Sequence, residues 1–491
     1  MCEADEMAGE KLEQGEHEHE ELMPEGDKKS AALEIEIGDD ETRPRSSFRA
    51  LIISSVFGNV LEWYDFGVFA SFSTEISKAF FTGGRLEEIL EVYGVFAVAF
   101  FVRPLGGFVL GIVGDKYGRT LSLQISVVAM GLSALIISLL PTNDVGPYSI
   151  GPAATILLVV VRSIQGLSVG GEMVGSMLYM VENVPERWKA VVSCVPMASA
   201  ISGTGMGYLV STIITALLSE EARVLWGWRL AFGLGVPAGL VGFMFRSCLH
   251  ESHTFSSAIK KFGARHQNQH PFFYAMKNEP AALFVLSALL AVLCGFYSST
   301  VWYNEAWLEM FYTELVRRGL SELQGRILNT LLIFAGLAGG SMGYAAFIDR
   351  GPKVPLHYHI LGSAFLLAIF SPLFLWLMSF GRDCLLCVAG GQLAGMLCFT
   401  PTIASLSLYL VSEIPTQLQY TSIALSYNIA QALFGGTIPY IATAIVIHSS
   451  NIVAPSFYMS GLAVLGGGSI LLARLPRVRR MHQNLEQTMN T

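Results

Sequence analysis

Apolar runs of about 20 residues recur along the chain and alternate with shorter polar turns. A run of that length forms a helix that crosses a hydrocarbon core about 30 Å thick. We therefore predict an all-α membrane protein with twelve transmembrane helices. The predicted segments are 49–72, 91–113, 120–141, 153–178, 189–217, 229–248, 281–311, 324–348, 356–379, 384–411, 419–446 and 454–474.

A polar stretch at residues 249–280 divides these segments into six and six. The halves also repeat a turn, because GIVGDKYGRT at 111–120 follows the second segment and GYAAFIDRGPK at 343–353 follows the eighth. Such a repeat is typical of transporters that are built from two similar bundles. We predict six-helix bundles over 49–248 and 281–474, joined by a cytoplasmic loop over 249–280.

Lysine and arginine concentrate in the gaps after even-numbered segments and after the last segment. The positive-inside rule assigns such gaps to the cytoplasm. We predict that both termini are cytoplasmic, that 475–491 is a cytoplasmic tail, and that the plasma membrane is the location. Basic residues of these gaps include Lys116, Arg119, Arg187, Lys189, Arg246, Lys260, Arg350, Lys353, Arg477 and Arg479.

Composition supports a membrane protein and distinguishes the N-terminal residues from the rest of the chain. Charged residues make up 14% of the chain, well below the roughly 25% of soluble domains. Residues 1–50 hold 16 acidic and 6 basic residues, so the remaining 441 residues carry about +2 of a total net charge of -8. The many like charges of residues 1–48 predict a disordered acidic cytoplasmic tail.

Two acids, Glu62 and Asp65, lie inside the first predicted segment. A charge at mid-bilayer costs on the order of 2.5–3.5 kcal/mol or more, so it needs a partner, a cavity or a function. Asn59, Glu62 and Asp65 recur at every third position and share a helix face. Two acids this close in a low dielectric cannot both ionise cheaply. We predict proton coupling first at Asp65 and second at Glu62, with ion pairs to Arg103 or Arg162 as the alternative.

The fourth segment carries Arg162, Gln165 and Glu172 at spacings of three and seven, which return to one side of a helix. We expect this stripe to face the interior. Arg162 and Gln165 are predicted substrate contacts, and Glu172 is a third candidate for proton coupling. The alternative for Arg162 is a permanent ion pair with Glu172.

Glycines around these charges predict close helix packing. Arg103 lies in FVRPLGG, beside a proline and two glycines, and is expected either to pair with an acid of the first segment or to contact substrate. Gly166/Gly170 and Gly171/Gly175 form GxxxG pairs, which let helix backbones approach closely.

Fewer polar side chains mark the second half. Asn428 and Gln431 lie in the eleventh segment and are candidate substrate contacts, with bonds between helices as the alternative. Asn59 and Tyr64 are further candidate substrate contacts in the first segment. Trp302 lies near the end of the seventh segment and is expected to be an interface anchor, which is the usual role of such aromatics.

Motifs for other chemistry do not occur in the sequence. It contains no Walker loop, no GxGxxG after a strand and no HExxH. We predict that the chain is not an enzyme, needs no cofactor or metal, and binds no nucleic acid. The expected partners are a small-molecule substrate, protons and the lipid bilayer, and a monomer is expected.

Several motifs carry a family resemblance. GDKYGRT resembles the G-x-x-x-D-[RK]-x-G-R loop motif of the major facilitator superfamily, and RSIQG resembles its R-x-x-Q-G motif. GNVLEWYDF, RPLGG, RSIQGLSVGGE, WGWRLAF, LHESHTF and YNIAQALFGGTIP are similar to the metabolite:proton symporter family. The resemblance runs from about residue 50 to 475. It implies carriers of α-ketoglutarate, citrate, shikimate, proline or betaine with protons.

The resemblance also implies roles for individual residues. Asp115 and Arg119 would form a cytoplasmic latch, and the repeated turn adds Asp349 and Arg350 as gating candidates. The sequence departs from the family in several places, among them Gln417 and Gln419 in the turn EIPTQLQYT, where basic residues are usual, and His253, which replaces a usual proline after the sixth segment. The helix that contains Trp302 lacks the usual proline, and no long coiled coil follows Arg480, unlike in the osmosensing members.

We expect a proton-coupled symporter that works by alternating access. Two arginines that face one cavity favour a di- or tricarboxylate substrate. The alternative is a zwitterionic osmolyte such as proline or betaine, with cation–π contacts from Trp63 and Tyr64. A uniporter without protons and a membrane sensor that does not transport are further alternatives.

Overall fold

A computed structural model gives the fold of the chain, and it describes residues 45–81, 85–145, 148–182, 184–247, 271–303, 322–380 and 384–490. Residues 1–44 of the predicted acidic tail (1–48) and most of the predicted loop (249–280) therefore lie outside the described residues, and the last residues of that predicted tail belong to the first helix. We label the twelve long helices in chain order. They are α1 Arg45–Ser71, α2 Arg85–Tyr117, α3 Arg119–Leu139, α4 Ala153–Glu182, α5 Glu186–Leu217, α6 Glu220–Arg246, α7 Pro280–Trp302, α8 Gln324–Arg350, α9 Leu356–Met378, α10 Leu385–Ser412, α11 Thr416–Val446 and α12 Pro455–Ala473.

These helices confirm the predicted fold class. Within the described residues, eleven helices, α2 to α12, are long and apolar enough to cross a membrane, and α1 completes the set of twelve in two six-helix bundles. One boundary differs clearly, because α6 begins at Glu220 and not at 229. Its charged first turn resembles a loop in sequence, but Ser219 caps it and Arg223 pairs with Glu75.

Among the described residues, three short helices lie outside the twelve, at Ser73–Phe80, Pro271–Asn278 and Pro476–Asn490. The last of them falls in the predicted C-terminal tail. Leu485 and Met489 in this helix are buried, so this part of the tail packs against the bundle.

Small residues set the spacing of the helices around the centre. α1 packs along α5, where a Cβ on Gly203 or Gly207 would overlap the α1 backbone. A Cβ on Gly166 would overlap Ala99 of α2, and one on Gly170 would overlap Gly107. The close approach that the GxxxG pairs predict is therefore confirmed, and it leaves little room for bulk beside the buried charges.

Irregular turns interrupt several of the long helices. α4 consists of an α-helix over Ala153–Val169 and another over Glu172–Glu182, with a turn at residues 170–171 between them. π-Helical turns occur at Ile333–Gly339 in α8 and at Gln431–Gly435 in α11. Such turns are frequent at functional sites, and those in α4 and α11 lie beside the buried charges.

Candidate functional site

The polar face of α1 points into the protein. Asn59, Glu62 and Asp65 are all buried, as their shared spacing predicts. Their neighbours come from α2 and α4, which contribute Arg103 and Arg162, also buried. Two acids and two arginines therefore meet inside the first bundle and form two ion pairs.

The first pair joins Asp65 to Arg162 at hydrogen-bond distance. Arg162 Nη1 donates to Asp65 Oδ2 at 2.6 Å and to Gln165 Oε1 at 2.8 Å. The Arg162 guanidinium also stacks over Phe69, at 4.0 Å from the ring centroid. A short charge-assisted bond of this kind favours the ionised carboxylate, so this pair is tight.

The second pair joins Glu62 to Arg103 and is looser. Arg103 Nη2 lies 3.3 Å from Glu62 Oε1. Neither carboxylate oxygen of Glu62 accepts a hydrogen bond from any described residue, and Arg103 Nε and Nη2 likewise find no hydrogen-bond acceptor there. A buried charge without hydrogen bonds is costly, so Glu62 is the less stable anion of the two acids.

Aromatic rings surround the Arg103 guanidinium. Its Cζ lies 4.3 Å from the ring centroid of Phe100, 4.6 Å from that of Phe66 and 5.9 Å from that of Trp63. Trp302 of α7 covers this group, since it stacks on Trp63 at 5.5 Å and meets Phe100 edge to face at 5.3 Å. The prediction that Trp302 is an interface anchor is therefore wrong, because this residue is buried between the two bundles.

Glu172 has a different partner from the one that its spacing suggests. Arg246, at the end of α6, makes two hydrogen bonds to the Glu172 carboxylate, one of them 2.7 Å long. Arg246 also donates to the carbonyl of Leu123. A Cβ on Gly58 would overlap this pair. The alternative of a permanent Arg162–Glu172 pair is wrong, because the turn at 170–171 breaks the helical periodicity between them.

Arg246 is a buried charge that sequence reasoning missed. Its place at the end of a helix, just before a polar loop, is the ordinary position of a basic residue at the cytoplasmic surface. The neighbouring glycine at 58 on α1 is the only sequence signal, and it has meaning only once α1 and α6 are known to pack together.

Two side chains of α11, in the second bundle, donate hydrogen bonds to the turn at residues 170–171 of α4. Asn428 Nδ2 donates to the Gly170 carbonyl at 2.6 Å, and the Tyr420 hydroxyl donates to the Gly171 carbonyl at 2.9 Å. Gln431 accepts from the Trp302 indole at 3.3 Å and donates to the Tyr427 hydroxyl at 2.7 Å. Asn428 and Gln431 thus bond neighbouring helices in this conformation, and their contact with substrate stays a prediction.

Tyr64 also makes an internal bond. Its hydroxyl donates to the Ala231 carbonyl of α6 at 2.6 Å. The Tyr64 ring is buried against α6. Of the two aromatic residues expected to contact a zwitterion, Trp63 and Tyr64, Trp63 is therefore the one whose ring lies beside Arg103.

A contact between the bundles forms at one of the predicted gates. The Asp349 carboxylate, at the end of α8, accepts from the backbone N–H groups of Ala190 and Val191, each at 2.9 Å. Arg350 lies 5.9 Å from the ring centroid of Trp188. The side chains of Asp115 and Arg119 lie outside the described part of the chain, so their latch stays a prediction.

The charged groups are closed off on all sides in this conformation. No more than 3% of any of the four side chains of the two ion pairs is exposed. Trp302, Tyr420 and Asn428 of the second bundle cover the first bundle around them. Each carboxylate can hold a proton, and each arginine can move from its carboxylate to the anionic group of a substrate. Both changes require that the bundles separate enough to admit the proton and the substrate.

Comparisons with known proteins agree with this architecture. A family model described as "Sugar (and other) transporter" matches residues 51–266. The proline/betaine transporter of Escherichia coli (strain K12) is 30% identical over 430 residues, which cover 85% of this chain and 82% of that protein. The putative proline/betaine transporter of Staphylococcus aureus (strain COL) is 28% identical over 417 residues, covering 84% and 86%.

Solved structures share the fold at low identity. The proton:xylose symporter XylE superposes with a TM-score of 0.68 at 16% identity, covering 86% of this chain and 94% of that chain. The human organic anion transporter MFSD10 gives 0.59 at 15% identity, covering 87% and 100%. With the sequence relatives, these matches identify a multi-pass integral membrane protein of a transporter family. The chain belongs to the metabolite:proton symporter family of the major facilitator superfamily.

Proposed function

We propose that this chain imports a small zwitterion, of the betaine or proline class, together with protons by alternating access. The observation that carries the proposal is the pairing of the two buried arginines. Arg103 and Arg162 each have a carboxylate partner, Glu62 and Asp65. The four groups together are neutral.

A neutral site suits a neutral substrate. Two unpaired arginines would favour a di- or tricarboxylate, and that expectation rested on the arginines alone. Once each arginine has an acid beside it, a dianion adds two uncompensated charges to a buried site, at a high cost in free energy. A zwitterion brings one charge of each sign. The named activity of the bacterial relatives supports the same alternative.

The geometry favours Glu62 over Asp65 as the proton site. Asp65 accepts a 2.6 Å bond from Arg162, which stabilises its anion. Glu62 is fully buried and receives no hydrogen bond from the described residues. A protonated carboxyl group loses less in that surrounding than a carboxylate does. This reverses the order expected from sequence, in which Asp65 came first.

Coupling follows from the loose pair. When Glu62 takes up a proton, Arg103 loses its counter-charge and becomes a partner for the carboxylate of the substrate. When the substrate leaves on the other side, Arg103 again stabilises the Glu62 anion and the proton is released. Proton and substrate therefore bind in mutual dependence, which is the condition for symport.

Proteoliposomes that contain the purified chain test the proposal. With an acidic exterior, we expect accumulation of labelled betaine or proline that a protonophore abolishes, and no accumulation of citrate or α-ketoglutarate. Accumulation of the carboxylates in place of the zwitterions would overturn the substrate assignment. Binding without uptake would instead support a sensor, and uptake that ignores the pH gradient would support a uniporter.

A matched pair of variants tests the proton site. Glu62→Gln keeps the shape of the side chain, so we expect exchange of labelled for unlabelled substrate to persist while gradient-driven accumulation is lost. Asp65→Asn removes the tight partner of Arg162 and is expected to impair both activities. If Asp65→Asn spared exchange and Glu62→Gln still accumulated substrate, the proton site would be Asp65.

We propose a plasma-membrane carrier that acts as a monomer with both termini in the cytoplasm, supported by the distribution of basic residues. In that orientation the Asp349 contact lies at the cytoplasmic end.

A further inference from the structure

One buried cation, Arg103, lies among aromatic rings as well as beside the Glu62 carboxylate. The Arg103 guanidinium lies within cation–π range of Trp63, Phe66 and Phe100, and we call these three rings with Trp302 the aromatic box. Arg162 differs in part. It lies over Phe69, and its Nη1 donates two hydrogen bonds of 2.6 and 2.8 Å, although its Nε and Nη2 also have no acceptor among the described residues.

The polar atoms of Arg103 are poorly satisfied in the box. Its Nε and Nη2 are buried and have no hydrogen-bond acceptor among the described residues. An arginine has five N–H donors in a fixed fork, and buried ones are normally matched to acceptors. The surroundings of Arg103 therefore suit the charge of a cation and not its N–H groups.

Both bundles build the box. Trp63, Phe66 and Phe100 belong to the first bundle, and Trp302 closes it from the second, with its indole N–H directed to Gln431. A rocking motion that separates the bundles would carry Trp302 away from the other three rings. The box is thus complete only when the bundles meet, as a binding site between two halves must be.

We infer that the aromatic box is a cation-binding site that is occupied in turn by Arg103 and by the methylated ammonium group of the substrate. This inference rests on the proposed function. Protonation of Glu62 frees Arg103 to turn toward the substrate's carboxylate, and the ring faces of Phe66 and Phe100 then receive the substrate's positive charge. One cation replaces another on the same rings, so the local charge is conserved.

The chemistry of the box selects for N-methylation. Ring faces attract charge but offer no strong acceptor for N–H groups, so each N–H that enters the box loses its hydrogen bond to water. A quaternary ammonium has none to lose. The expected order of preference is betaine, then dimethylglycine, then sarcosine and proline, with glycine last.

Competition for uptake by the full-length protein in proteoliposomes measures this order, and thermal stabilisation of the purified protein by each compound measures binding independently. We expect Phe100→Leu to reduce the preference for betaine over glycine roughly tenfold, the scale of a desolvated cation–π contact. Phe66→Leu is a second variant, since Phe100 also packs against Gly436. Phe69→Leu is the matched control, because its ring lies under Arg162.

The outcomes separate this inference from the proposed function. Proton-driven uptake with no preference along the series, or an equal loss of preference in Phe69→Leu, would contradict the cation-binding role of the box but not symport. Betaine binding that Phe100→Leu and Phe66→Leu weaken, without accumulation in a pH gradient, would support the cation-binding role and contradict proton coupling. Failure to bind any member of the series would overturn both.

Discussion

Removal of the Arg246 side chain tests the third buried ion pair at the scale of single residues. Arg246→Ala leaves the Glu172 carboxylate buried and without its partner. Loss of one member of a buried pair costs about 3–5 kcal/mol, so we expect a clear fall in the free energy of unfolding. Thermal unfolding of the purified protein measures it.

Two further variants separate this cause from general damage. Glu172→Gln combined with Arg246→Gln removes both charges and is expected to recover part of the loss. Arg477→Ala changes an exposed arginine of the C-terminal helix and should unfold like the unmodified chain. A double variant no more stable than Arg246→Ala would contradict the ion-pair explanation.

The residues of the site were largely predictable, but their pairing was not. Spacing alone places Glu62 and Asp65 on one face, and the cost of mid-membrane charge marks Arg103 and Arg162 as candidate partners. Which arginine meets which acid depends on how α2 and α4 rotate about their axes and on their tilt. Hydrophobic periodicity does not report rotation for helices with polar positions on several sides.

At the scale of elements, Asp349 acts as a cap that one bundle provides for a helix of the other. The first backbone N–H groups of a helix have no partner within it, and the helix dipole favours an anion there. The first three residues of α5, Glu186–Trp188, form a 3-10 turn, and its α-helical part begins at Lys189. Asp349 meets both needs for this α-helical part at Ala190 and Val191. The contact stabilises the conformation in which these ends of α5 and α8 meet.

Hydrogen–deuterium exchange tests this cap directly. Asp349→Ala removes charge-assisted bonds to two amides, so we expect the exchange of the Ala190 and Val191 N–H groups to accelerate roughly tenfold or more. Lys353→Ala, which changes a nearby exposed cation, is the control and should leave them protected. Unchanged protection in Asp349→Ala would show that the cap does not hold the two bundles together.

The interrupted helix α4 marks the limit of sequence reasoning about elements. Its glycines correctly predict close packing with α2, but the sequence predicts continuous helix through residues 170–171, where the structure has a turn. The turn exposes the carbonyls of Gly170 and Gly171, and α11 satisfies them with Asn428 and Tyr420. These donors come from a bundle more than 240 residues away in sequence, so no local pattern indicates them.

At the scale of the whole molecule, the neutral site determines how much charge crosses the membrane in a cycle. The two ion pairs carry no net charge, and a zwitterion adds none. In the proposed cycle, the proton on Glu62 is then the only uncompensated charge that moves with the substrate. A dicarboxylate with one proton would instead carry one negative charge in the same direction.

Membrane potential therefore distinguishes the two substrate classes in one measurement. A potential of 100 mV, negative inside, is worth about 2.3 kcal/mol for each positive charge that enters, which corresponds to roughly 50-fold accumulation without any pH gradient. We expect a potassium diffusion potential set with valinomycin to drive betaine uptake into proteoliposomes at equal pH. Glu62→Gln is the control and is expected to ignore the potential, since its site cannot take the proton. Uptake that an inside-negative potential slowed or left unchanged would contradict both the neutral site and the single proton, because their sum requires one positive charge to enter with each substrate molecule.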